Sequence, residues 1–131
     1  MRRLAMMAFF GALCASAPVW AALDLHDYDD ELMKDLEKSI KYFEGDITAK
    51  NAEAAKEDAA VLAEGFRYTG DYFAKKGLPD AVEISKKGSA LIADVQSIVD
   101  KADFDGAATA ARGAPDLCKS CHDLYKPRLA R

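Results

Sequence analysis

Two successive stretches of this 131-residue chain repeat their apolar residues at alternating intervals of four and three. Ala55, Ala59, Leu62, Phe66, Thr69 and Phe73 form the first series. Ala81, Ile84, Gly88, Leu91, Val95, Ile98 and Ala102 form the second without a slip. Residues at that interval return to one face of an α-helix, whereas a half-buried strand needs strict alternation. Beyond the N-terminal run no period-2 pattern of any length occurs, and Ala, Leu, Glu and Lys, all strong helix formers, are abundant.

Four helical segments follow. The first is expected over about Asp27 to Phe43, with Leu25, Tyr28, Leu32, Leu36, Ile40 and Phe43 on one face. Acids at Asp29, Asp30 and Glu31 favour its start, and Gly45 is the expected stop. The second begins behind the N-cap Asn51 and ends at Lys76, before Gly77-Leu78-Pro79. The third opens at Pro79-Asp80 and runs to about Ala102; Gly88 inside it lowers helix propensity by about 1 kcal/mol and marks a close packing contact. The fourth starts near Asp103 or Asp105 and continues to about Lys126, with a kink or restart expected at Pro115. Amphipathic helices on short loops predict an all-α, antiparallel up-down-up-down four-helix bundle. Helices of about twenty residues are about 30 Å long, enough to enclose a cofactor between facing helices. The periodicity itself says nothing about chemistry.

The N-terminus has a different character. Met1-Arg2-Arg3, an apolar run from Leu4 to Ala17 and Pro18-Val-Trp-Ala-Ala22 are the parts of a secretory signal. The run is shorter than the roughly 20 apolar residues of a spanning helix, so a membrane anchor is disfavoured. Cleavage after Ala21 divides the chain into residues 1–21, a signal peptide, and 22–131, one domain. The expected location is the periplasm, with no membrane span after processing. Loss of Arg2 and Arg3, with no acid, carries the net charge from −4 to −6. That balance argues against a nucleic-acid partner. Cys14 leaves with the signal, so two of the three cysteines remain.

Those two stand in Cys118-Lys119-Ser120-Cys121-His122, the C-x-x-C-H signature of covalent haem attachment. Thiols three residues apart on a helical turn can reach the two vinyl groups of one porphyrin. The imidazole of His122 can then take a proximal place on the iron. A thioredoxin-type dithiol wants a strand–helix context that is missing here. A structural zinc site wants four ligands, and the only other histidine is His26. A simple disulfide is the plain alternative in an exported chain.

A helical bundle with a single C-x-x-C-H at its C-terminal end resembles the class II cytochromes c, the cytochrome c-prime group. The resemblance spans about Leu23 to Arg131, and Tyr125 and Lys126 match the aromatic and basic residues that follow the family's histidine. The compact length is also similar to the small b-type four-helix cytochrome. The resemblance implies one covalent haem c held by Cys118 and Cys121, with His122 as proximal iron ligand. Met33, on the first helix at the edge of the apolar face, matches the placement of the axial methionine in the b-type relative and in six-coordinate class II members. A plain packing role for Met33 stays open. With a thioether and an imidazole on the iron the chain would carry single electrons between periplasmic redox proteins, and would not be an enzyme. The alternative implied by the resemblance is a five-coordinate iron that binds nitric oxide or carbon monoxide behind Leu32 and Leu36. A third class is a helical interaction protein with a disulfide and no haem.

Weaker candidates complete the sequence reading. His26 is a second distal candidate or a solvated turn residue, and Lys126 acts on the proximal side or is solvated. Ala107, Ala108, Ala110 and Ala111 allow a close porphyrin approach or only build helix, while Phe66, Tyr72, Phe73 and Phe104 are wall or core residues. The acids at 27–31 and 53–58 are solvated faces or steer a basic partner. A homodimer is left open.

Overall fold

The computed structural model of the chain describes residues 23–129, so the signal segment with Cys14 lies outside the described residues. Among these every regular element is helical: α1 Asp30–Thr48, α2 Ala52–Lys75, α3 Pro79–Asp100, α4 Phe104–Ala111 and α5 Ala114–Leu129. Four helices pack together as a bundle whose last helix is broken into α4 and α5.

The caps follow local chemistry. Asp29 accepts the N–H groups of Glu31 and Leu32, Asn51 accepts that of Ala54, and Asp103 accepts that of Gly106. Gly45 does not stop α1. The helix runs on to bury Ile47 completely and turns only at Lys50, which adopts a left-handed φ of 58°. A glycine costs a helix interior about 1 kcal/mol, less than the roughly 1.5–3 kcal/mol gained by burying an isoleucine.

All six residues of the first series, on α2, are buried. On α3 the buried row is Ala81, Ser85, Gly88, Ile92, Val95 and Val99, which is the expected stripe rotated by one position at every second step. Ile84, Leu91 and Ile98 are only half-buried. Ser85 tolerates the core because its hydroxyl donates to the Ala81 carbonyl at 2.9 Å. Gly88 is indeed a close contact: a Cβ there would sit 2.3 Å from Cε1 of Phe66.

The fourth helix restarts at Arg112-Gly113, two residues before the proline. Pro115 then occupies the first turn of α5, where its missing N–H has no partner to lose. The break has a consequence for the bundle. α4 packs between α1 and α3, but α5 leans on α3 and its backbone scarcely approaches α1 or α2. The α1 face predicted from spacing is therefore buried at Leu25, Tyr28 and Phe43 and only half-buried at Leu32, Leu36 and Ile40.

Candidate functional site

The divergence of α5 from α1 leaves a cavity of about 70 Å³. Its walls are Met33, Leu36, Glu37 and Ile40 of α1, Thr69 of α2, and Cys118, Cys121 and His122 of α5. The two thiols, the imidazole and the thioether singled out in the sequence thus line one space. It lies where two apolar clusters meet. Leu36, Ile40 and Cys118 pack on the main core of Phe43, Leu62, Phe66, Ile92 and Val95. Met33 and Cys121 pack on a second cluster of Leu25, Tyr28, Tyr72, Phe73, Ala81 and Tyr125.

That second cluster is held by hydrogen bonds at its rim. Tyr125 is buried and donates to Asp80 Oδ1 at 2.6 Å, which fixes α5 to the start of α3. Tyr72 donates to Asp27 Oδ1 at 2.7 Å, and Lys76 Nζ lies 2.9 Å from the same oxygen. Lys76 also donates to the Asp24 carbonyl at 2.9 Å, so the segment before α1 is strapped to the end of α2.

Electrostatics follow from burial. Cys118 and Cys121 are free thiols and both are half-buried. Burial raises the Cys118 pKa and, with the neighbouring Cys118 and Asp80, pushes Cys121 up to about 11. Burial, reinforced by Lys126, holds the His122 imidazolium below the ordinary histidine range. At neutral pH the imidazole is therefore uncharged, the form that binds a metal. On the open side Lys126 Nζ lies 3.9 Å from Glu37 Oε1, a solvated pair across the gap between α5 and α1.

The other candidates fall elsewhere. His26 stands on an exposed turn, paired with Asp24, and takes no part in the cavity lining. Leu36 lines the cavity but Leu32 does not. Ala107, Ala108 and Ala111 are buried in the main core, with Ala110 and Phe104 against it. Phe66 is main core, while Tyr72 and Phe73 belong to the cluster behind Met33 and Cys121. Of the acids at 27–31, Asp29 caps α1, Asp27 meets Lys76 and Glu31 meets Lys34. Thr69, Glu37 and Ile40 are lining residues that the sequence reading did not assign to the site. The spacing signal was present: Glu37 and Ile40 stand four and seven residues after Met33, on its side of α1.

Among the described residues no group of three or more His, Cys, Asp and Glu side chains gathers to hold a metal ion. No described helix is long and apolar enough to cross a membrane. No protein-family model, characterised protein or solved structure matches this chain.

Proposed function

We propose that this chain is an exported c-type cytochrome that carries single electrons between periplasmic redox proteins, through one covalently bound haem c. One observation carries the reading: Met33 of α1 and Cys118, Cys121 and His122 of α5 line the same cavity.

The residues fit such a group in kind. Two thiols three apart can be consumed as thioethers, and an uncharged imidazole and a thioether are established axial donors. The cavity of about 70 Å³ is smaller than a porphyrin, so loading requires α1 and α5 to part. Their backbones scarcely touch, and the pair Glu37–Lys126 that spans the opening is solvated, worth at most about 1 kcal/mol. When bound, the group supplies an iron centre that gains and loses one electron. Cys118 and Cys121 would tether it to α5, and His122 would bind its iron. Met33 would be a second protein ligand and favour a raised potential. Leu36 and Ile40 exclude water from that side. If His122 and Met33 both held the iron, no position would be left for a substrate, which suits a carrier rather than a catalyst.

The test is the optical and spin-state spectrum of protein matured with a periplasmic export signal, before and after Met33→Ala. The expected result is a low-spin ferric iron that becomes high-spin and binds carbon monoxide when Met33 is removed. A wild-type protein that is already high-spin and takes up carbon monoxide readily would favour the gas-binding reading behind Leu36. A protein without a Soret band would be the helical interaction protein.

A further inference from the structure

Met33 stands on α1 between two contacts with α2. Five residues before it, the buried Tyr28 hydroxyl lies 2.6 Å from Thr69 Oγ1. The Thr69 proton is directed to the Gly65 carbonyl at 2.7 Å, so Tyr28 is the donor of that pair. Three residues after Met33, Leu36 lies directly over Gly65. A Cβ built on Gly65 would stand 2.0 Å from Leu36 Cδ2, 2.6 Å from Cγ and 2.7 Å from Cδ1. Gly65 and Thr69 are one helical turn apart and joined by the hydroxyl–carbonyl bond, so notch and hydrogen bond form a single seat for α1.

Leu36 and Met33 line the same cavity. The side chain that lies over the notch is therefore also a wall of the cavity that Met33 lines. Any residue larger than glycine at 65 must lift Leu36 out. Leu36 meets α2 at Gly65, packs on the main core and lines the cavity, and of these three sides only the cavity offers empty space for a displaced side chain. Glycine in a helix interior is otherwise unfavourable, and Gly65 is buried with a negative φ, so its backbone conformation does not call for it. Close packing accounts for it.

We propose that Gly65 is a positioning residue for the axial thioether: its notch in α2 holds Leu36 back and keeps the cavity open for Met33 to face His122. The proposal deepens the cytochrome reading and rests on it for the word axial, whereas the seat itself can be tested without haem.

Removal of the signal takes Met1, Met6 and Met7, so the mature chain has a single methionine methyl. In the haem-free protein with labelled methionine, Gly65→Ala should move that resonance. Added to Leu36→Ala, which removes all three clashing atoms, it should move it no further. In the haem-loaded protein Gly65→Ala should convert low-spin iron to high-spin and raise carbon monoxide binding at least tenfold. Leu36→Ala/Gly65→Ala should match Leu36→Ala alone. A methyl resonance that does not move, or moves equally in both backgrounds, overturns the proposal. Where Gly65→Ala alone does not fold, Leu36→Val/Gly65→Ala is read against Leu36→Val and should show a smaller displacement; none there also overturns it. A methyl that responds as expected in a chain that takes up no haem upholds the seat and removes the haem reading.

Discussion

The two thiols at the cavity offer a sharp test because their surroundings fix how they should react. Cys121 is held at a pKa of about 11, against 9.0 for an unperturbed thiol, by burial first and then by Cys118 and Asp80. Only the thiolate attacks a disulfide reagent. At pH 8 the folded, haem-free chain therefore presents about 100-fold less Cys121 thiolate than the chain in denaturant. The thiolate that does form is more basic and more nucleophilic. With a Brønsted slope of about 0.4–0.5, two pKa units restore about six- to tenfold, leaving a net slowing of about 10–15-fold. Half-burial of the sulfur slows access further, so this figure is a floor. The assay is the rate of reaction with a small aromatic disulfide, read by mass for each cysteine, in buffer and in denaturant. Occlusion and a raised pKa are separated by the pH profile. The folded rate should climb through pH 9 and level only near 11, whereas the unfolded rate levels near 9. Equal rates at pH 8, or a folded profile that levels near 9, would refute the electrostatic description of the site.

Two further outcomes follow from the packing and the buried imidazole. Gly88→Ala places a Cβ 2.3 Å from the Phe66 ring in the main core, and the overpacking should outweigh the gain in helix propensity. The net loss should be about 1–2 kcal/mol by urea denaturation, with m unchanged, and Phe66→Leu should relieve it. For His122 the folded pKa is lowered, so the unfolded chain takes up its proton first as the pH falls. Stability of the haem-free chain from this group is complete above about 6.5 and is lost as the pH drops below it; His122→Gln should flatten that part of the urea-midpoint profile.

How far the sequence carries depends on what each element faces. Every residue of the α2 series is buried because that helix packs on both α1 and α3, although the helix also buries Gly65 and Tyr72, which the series omits. On α3 the series went astray at Ser85, Ile92 and Val99, since a serine that donates to its own helix is buried at little cost yet looks polar in a string of letters. Gly45 was misread as a stop because the gain from burying Ile47 is a tertiary effect. Pro115 signalled the break in the last helix, but its true consequence lies in space: α5 swings away from α1 and opens the cavity. Spacing singled out Cys118, Cys121 and His122, and the fold shows that all three line one cavity. Met33 was picked out through the resemblance and lines the same cavity, while Thr69, Glu37 and Ile40 needed the fold, because a wall residue carries no chemical signature of its own. The notch at Gly65 is legible only where Leu36 lies across it.

In the proposed cytochrome Cys118 and Cys121 are consumed in tethering one haem. The most direct measurement is the intact mass of the mature protein, purified from a periplasm competent in haem attachment and denatured before analysis. The expected species is a chain cut after Ala21 that carries the mass of one haem and has no thiol left to alkylate. A bare chain with two titratable thiols, or one lighter by two hydrogens from a Cys118–Cys121 disulfide, would contradict it.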